Sequence, residues 1–154
     1  YLGHKDRILL ECLTIGLKQL IEAADRARKK GGTGCDRLCR FLESYAEINM
    51  RDFGQCVIRT DGAFLSGDNL GQYRQLKRRI DTAIRTLVED GIADGSIAPL
   101  DPKILAFTLA GALNWPGRWY DPEGPLEPTE IARRMVDTLA RGFLPRSGTE
   151  TSAP

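Results

Sequence analysis

Apolar side chains recur every three to four residues through most of this chain, and this periodicity limits its fold more than any other feature. Such spacing places apolar groups along one side of an α-helix, whereas strands alternate with a period of two residues. No convincing strand pattern occurs in the 154 residues. The pattern therefore predicts an all-α bundle of about five to six helices. The predicted helices cover residues 5–29, 35–52, 70–94, 101–115 and 128–143, with a shorter one at 55–59.

Helix-boundary signals support several of these ends. Asp101 followed by Pro102 is an N-cap with proline at the first helical position. Gly95 is placed to end the helix at 70–94. Pro116 lacks a backbone N–H, so it is expected to kink or reset the helix that precedes it.

Residues 104–115 read ILAFTLAGALNW and are apolar on nearly every side of a helix. Such a helix must be covered all round, and a chain of this length does not easily provide that cover. A second subunit is the natural cover, with the last two long helices of two subunits forming an intermolecular four-helix bundle. The residues expected at this homodimer interface are Leu109, Ala112, Trp115, Ile131, Met135 and Leu139.

Basic and acidic residues nearly balance, 22 against 21, so the net charge is +1. A domain that grips a nucleic-acid backbone usually has a basic excess, and these residues are therefore not expected to touch DNA themselves. No run of about 18 apolar residues is present, so no membrane span is expected. The four cysteines include no CxxC pair, and buried reduced thiols fit a cytoplasmic protein.

The sequence contains none of the patterns expected of an enzyme. The single histidine, His4, lies at the N-terminal edge, and no phosphate-binding loop or nucleophile elbow occurs. One histidine and scattered cysteines also make a poor zinc site, which needs four ligands. We therefore expect no catalytic residue, cofactor or metal.

Three stretches resemble the TetR family of bacterial transcriptional regulators, in the order in which that family uses them. YLGHKDRILL at 1–10 is similar to the junction after the recognition helix, although His4 stands where serine is more usual. GIADGSIAPLDP at 91–102 is similar to the turn before the dimer helix. GALNWPGRWY at 111–120, followed by PTEIA at 128–132, resembles a branch in which several members respond to acyl-CoA thioesters.

This resemblance implies that residues 1–146 form an effector-binding and dimerisation domain, with a disordered tail at 147–154. It also implies a helix-turn-helix head before Tyr1 that binds operator DNA through the major groove. The implied function is that of a repressor released by a small hydrophobic ligand, with an acyl-CoA thioester as one candidate. The alternative is a small helical adaptor that binds only protein, for which no cavity is expected.

Polar groups among the apolar stripes mark a candidate ligand pocket. Asn114 interrupts an apolar run, and a buried amide needs a hydrogen-bond partner in a ligand, a backbone carbonyl or the other subunit. Arg118 could meet a carboxylate or phosphate, or could pair with Asp121 or Glu123. The basic run at 77–79 could attract phosphates or form a solvated helix face. The predicted ligand-binding residues are Tyr45, Asn49, Phe53, Ile80, Phe107, Gly111, Asn114 and Arg118.

Overall fold

The computed structural model describes residues 2–60 and 62–147 of the chain. All regular structure in these residues is helical, which confirms the predicted all-α class, although there are seven helices instead of five to six. The helices are α1 (Leu2–Lys29), α2 (Gly34–Met50), α3 (Asp52–Thr60), α4 (Gly67–Ala93), α5 (Pro102–Asn114), α6 (Pro116–Trp119) and α7 (Pro128–Phe143). None of these helices is both long enough and apolar enough to cross a membrane. Apart from Ser147, the predicted tail lies outside the described residues.

The extra helix, α6, results from a single proline. Asp101 begins α5 as predicted, because its Oδ1 accepts hydrogen bonds from the backbone N–H groups of Lys103 (2.9 Å) and Ile104 (3.1 Å). The helix ends at Asn114, and Pro116 opens the one-turn α6. Proline cannot donate the backbone bond that would continue α5, so the predicted reset takes place here.

The start of α2 is held by a capping box. The Thr33 hydroxyl accepts a hydrogen bond from the Asp36 N–H at 3.1 Å, and the Asp36 carboxylate accepts one from the Thr33 N–H at 2.9 Å. These bonds satisfy two backbone donors that a helix start leaves without partners. They also lower the pKa of Asp36 from its usual value. The motif is readable in the sequence as a threonine followed three residues later by an acidic residue.

α2 lies at the centre of the bundle and contacts every other helix of the described residues. Its residues Leu38, Phe41, Leu42 and Ala46 have no exposed surface. Phe41 lies outside the stripe that the sequence pattern predicted, because α2 is covered on more than one side. Burial of large apolar side chains stabilises the fold by about 1.5–3 kcal/mol each.

Two glycines allow the start of α2 to approach the end of α4. A Cβ atom on Gly34 would lie 2.3 Å from the Gly91 nitrogen and 2.4 Å from the Gly91 Cα, so only glycine fits. Side chains after α4 complete the contact, because the Gly34 N–H donates to the Asp94 carboxylate at 2.6 Å. The Cys35 N–H donates to the Ser96 hydroxyl at 2.9 Å. These bonds join two segments that lie 60 residues apart in the chain.

α1 and α4 pack against each other and run in the same direction. Near their starts, the Asp6 carboxylate accepts hydrogen bonds from Ser66 and from the Asn69 amide, the latter at 3.1 Å. Near their ends, Gly34, a few residues beyond α1, contacts Gly91 of α4. The two helices are therefore neighbours along most of their length.

Replacing Gly34 by alanine should destabilise the fold by about 1–3 kcal/mol, because the new methyl group would overlap the backbone of α4. Gly71→Ala is the matched control, since nothing lies within 4 Å of a Cβ at that helical position. It should stabilise the protein by about 0.5–1 kcal/mol through helix propensity. Urea unfolding followed by circular dichroism measures both, and equal stabilities of Gly34→Ala and wild type would contradict the close approach.

Candidate functional site

A cavity of about 430 Å³ lies inside the bundle, among α1, α2, α3, α4, α5 and α6. Its size is in the range of about 300–1,000 Å³ that small-molecule pockets occupy. Its wall is mostly apolar, with a few polar and charged groups. The lining residues are Leu17, Leu20, Tyr45, Asn49, Val57, Ile58, Lys77, Arg78, Ile80, Asp81, Ile84, Phe107, Ala110, Asn114 and Arg118.

Most of the predicted ligand-binding residues come together around this cavity, although they are distributed over four helices. The residues that line it are Tyr45, Asn49, Ile80, Phe107, Asn114 and Arg118. The structure places Phe53 and Gly111 elsewhere. These six residues therefore share one location, as the sequence pattern predicted.

Phe53 and Gly111 do not line the cavity, for two different local reasons. α2 ends at Met50 and α3 begins at Asp52, so Phe53 is not on the continuing stripe of Tyr45 and Asn49. Its side chain is exposed. On α5 the cavity face contains Phe107, Ala110 and Asn114, whereas Gly111 is exposed and has nothing within 4 Å of a Cβ.

A cluster of three polar side chains lies in the cavity wall. The Tyr45 hydroxyl donates to Asn114 Oδ1 at 2.6 Å, and Asn49 Nδ2 donates to the same oxygen at 3.2 Å. Asn49 Nδ2 also lies 3.3 Å from the Leu113 carbonyl oxygen. The partners of Asn114 are thus side chains of α2, an arrangement that was not among the alternatives drawn from the sequence.

Asn49 carries an acceptor that the protein does not satisfy. Its side chain has no exposed surface, and Asn49 Oδ1 has no hydrogen-bond partner in the part of the chain that the structure describes. An unpaired buried acceptor costs about 1–3 kcal/mol. Because this atom has almost no accessible surface, a donor on a bound molecule would reach it only after a local shift of the cavity wall.

Burial keeps the Tyr45 phenol of this cluster protonated. Tyr45 is 5% exposed, and desolvation raises its pKa from 10.0 to about 12, while the neighbouring amides of Asn49 and Asn114 act in the opposite direction. The phenol is therefore neutral at physiological pH and acts as a hydrogen-bond donor. The single O–H of Tyr45 is used in its bond to Asn114, so the Asn114 amide N–H groups are the donors left to orient a carbonyl or hydroxyl group.

Cationic side chains stand at the edge of the cavity. Arg118 forms no ion pair with Asp121, Glu123 or any other acidic residue within 2–60 and 62–147. Lys77 lies on the α4 side, with its Nζ 5.5 Å from the centre of the Tyr73 ring. The acidic residue of the lining, Asp81, is paired with Arg85 at 3.0 Å. The edge of the cavity is therefore net cationic and could receive an anionic group.

The predicted interface residues separate into two groups. Leu109 and Ile131 are 1% and 7% exposed and belong to the core of this protomer, so they offer little surface to a second one. Trp115 is 62% exposed, and Ala112 is half-buried. Met135 and Leu139 on α7 are also half-buried and pack on the edge of the core. Trp119 is exposed and lies outside the cavity lining.

The apolar lining residues that were not predicted from the sequence are members of helical stripes. Leu17 and Leu20 on α1, and Ile84 on α4, follow the periodicity that predicts core positions. Val57 and Ile58 lie in the short α3. Periodicity identifies a buried face, but it does not distinguish a face that packs against a helix from one that borders a cavity.

Comparison with known proteins gives a consistent result. Residues 31–143 match the family model described as the tetracyclin repressor-like C-terminal domain. The HTH-type transcriptional regulator YhgD of Bacillus subtilis (strain 168) is 26% identical over 115 residues, which are 71% of this chain and 58% of YhgD. The chain thus spans little more than half the length of that relative.

Solved structures share the fold. PfmR, a TetR-family transcriptional regulator from Thermus thermophilus, is 26% identical with a TM-score of 0.78, over 90% of this chain and 76% of PfmR. AibR, solved in complex with isovaleryl coenzyme A and operator DNA, is 22% identical with a TM-score of 0.75. That match covers 87% of this chain and 74% of AibR.

Tyr45→Phe should lower the free energy of unfolding at neutral pH by about 1 kcal/mol, because one buried hydrogen bond is lost. The difference in free energy of unfolding between the wild type and Tyr45→Phe should decrease above pH 10. Since the folded-state pKa of Tyr45 is raised from 10.0 to about 12, the wild type loses up to about 1.4 kcal/mol per pH unit as the pH rises through that window. The phenylalanine variant lacks this loss.

The free energies of unfolding of the wild type and Tyr45→Phe should therefore become equal at about pH 11. Urea unfolding from pH 7 to 11 measures both. Tyr120→Phe is the control, since Tyr120 is a half-buried residue whose hydroxyl forms no hydrogen bond within the described residues, and it should follow the wild type throughout. A constant difference between wild type and Tyr45→Phe across this range would count against the buried, neutral phenol.

Proposed function

This chain belongs to the TetR family of transcriptional regulators, as a tetracycline-repressor-like C-terminal domain, and we propose that it is the effector-binding and dimerising part of a repressor. The effector is a small hydrophobic molecule that occupies the cavity and releases the regulator from its operator. Operator binding belongs to a helix-turn-helix head that precedes these residues, in keeping with the greater length of YhgD.

The observation that carries this proposal is a cavity of about 430 Å³ with an unpaired buried acceptor in its wall. Mostly apolar pockets with a few placed polar groups are typical of small-molecule sites. Asn49 Oδ1 supplies an unused acceptor, and the Asn114 amide nitrogen has no partner in the residues that the structure describes. The adaptor hypothesis expects no cavity, so this feature favours an effector.

We further propose an acyl-CoA thioester as the effector. Two observations support this class. The edge of the cavity is cationic through Arg118, Lys77 and Arg78, whereas its interior is apolar. In addition, AibR, which shares the fold, was solved with isovaleryl coenzyme A. An acyl chain fits an apolar interior, and the phosphates of coenzyme A require cations.

The proposed regulation follows from linkage. An effector can change operator affinity only if it binds one arrangement of the helices better than another. A difference of about 1–3 kcal/mol changes the affinity 5- to 150-fold. α1 is the element best placed to transmit it, because Leu17 and Leu20 line the cavity and the start of the same helix adjoins the proposed head.

The proposed homodimer uses the uncovered sides of α5 and α7. Ile104, Thr108, Gly111 and Trp115 follow one another at helical spacing and are exposed, with Ile104 at 60% and Trp115 at 62%. Apolar side chains so exposed on a predominantly apolar helix are typical of an interaction surface. Gly111 and Thr108 are small enough to permit close approach of a second α5, and α7 extends the surface through Met135 and Leu139.

Filling the cavity should prevent effector binding. Ala110 lines the cavity, and Ala110→Phe should reduce the affinity for octanoyl-CoA at least tenfold, since the larger side chain takes the space of the acyl group. Ala93→Phe, at the exposed end of α4, should bind like the wild type. Isothermal titration calorimetry on the 154-residue chain measures both. Equal affinities of Ala110→Phe and wild type would place the effector outside the cavity.

Placing a charge on the exposed face of α5 should weaken the dimer. Gly111→Glu should raise the dimer dissociation constant at least tenfold, because the carboxylate would lose its hydration in an apolar interface. Gly71→Glu adds the same charge at another open helical glycine and should leave association unchanged. Sedimentation velocity at micromolar concentrations measures both, and a monomeric wild type would disprove the proposed dimer.

A further inference from the structure

A second depression lies along α1 and α4 next to the cavity. Its volume is about 350 Å³, and it lies between the second half of α1 and the middle of α4. Three arginines line it, Arg28 from α1 and Arg78 and Arg79 from α4, together with the single acidic residue Asp25. We call this depression the arginine groove.

The arginines of this groove are available for an external partner. None of the three forms an ion pair within residues 2–60 and 62–147, although Asp25 lines the same groove. Three guanidinium groups and one carboxylate leave a net charge of +2 in the groove. Guanidinium groups bind phosphate oxygens through paired hydrogen bonds, which makes an anion the expected occupant.

Arg78 connects the groove to the cavity, because it lines both. Ile80 and Ile84 of the same helix form apolar wall of the cavity, and Arg79 lines the groove. A single molecule with an apolar part in the cavity and a charged part in the groove would therefore pass Arg78. The groove adds Arg28 and Arg79 to the cations at the edge of the cavity.

We propose that the arginine groove is a phosphate-binding subsite, which holds the phosphorylated end of an effector whose acyl part occupies the cavity. This inference rests on the proposed function and extends it by naming the residues that select a phosphorylated effector. Arg28 contributes from α1, and Arg78 and Arg79 contribute from α4. A bound phosphate group thereby adds a further contact between two helices that already pack against each other.

The link has a consequence for regulation. α1 and α4 run in the same direction, and Arg28 lies in the last turn of α1. A multiply charged anion between Arg28 and Arg79 favours one spacing of the two helices over others, which is the differential binding that regulation requires. An uncharged ligand in the cavity alone would not act on α1 in this way.

The test compares two ligands that share an acyl group. Octanoyl-CoA carries the phosphates, and S-octanoyl-pantetheine lacks them. Arg28→Ala and Arg79→Ala are the informative variants, because both residues line the groove and neither lines the cavity. Each should weaken octanoyl-CoA binding about tenfold or more, as expected for a lost charged hydrogen bond, and should leave S-octanoyl-pantetheine binding unchanged. Arg74→Ala, an exposed arginine of α4 outside both sites, is the control and should bind both ligands like the wild type.

Calorimetry and a thermal melt of each variant separate the possible outcomes. Equal weakening of both ligands in well-folded variants, or no weakening of either, would overturn the subsite. Failure of the wild type to bind S-octanoyl-pantetheine would instead count against the effector cavity. In that case adenosine 3′,5′-bisphosphate, the phosphorylated nucleotide of coenzyme A, tests the groove by itself. Its binding should be lost in Arg28→Ala and Arg79→Ala, and binding that survives in both would refute the proposal.

Discussion

The packing of α2 against every other described helix is the constraint on which the rest of the structure depends. Nine of its 17 residues are buried, so α2 cannot shift without disturbing the whole bundle. Its start is fixed by the Thr33–Asp36 capping box and by the close approach of Gly34 to Gly91. The positions of α1, α4 and α5 around the cavity follow from their contacts with this helix.

This central position gives the polar groups of α2 their importance. Tyr45 and Asn49 belong to the same buried stripe as Leu38 and Leu42, and burial therefore separates them from water. Asn114 of α5 satisfies them in part, and Asn49 Oδ1 remains without a partner in the part of the chain that the structure describes. A molecule that binds here would change the contact between α2 and α5. The proposed effector would thus act on the most constrained element of the domain.

Several elements could be predicted from local sequence because their causes are local. The bounds of α7 agree with the predicted range of 128–143, and the Asp101 cap and the reset at Pro116 lie where expected. The family predicted from three short motifs is confirmed by the match over residues 31–143. α6 was missed as a separate helix, because a single turn after a proline has too few residues to show a periodicity.

The candidate site includes features that could be predicted from the sequence and others that could not. The side chains of Tyr45, Asn49 and Asn114 were recognisable in the sequence as polar interruptions of apolar stripes, because that pattern is local. Whether Ala110 or Gly111 faces the cavity was decided by the rotation of α5 against α2 and α4, which depends on contacts between distant segments. Likewise, Leu109 could be assigned to an apolar helix but not to the core of its own subunit. The sequence by itself determined the helices, their caps and the family, because periodicity and capping act over a few residues. Only the tertiary structure decided which faces enclose the cavity and which remain exposed, because helix rotation is set by packing across the whole bundle.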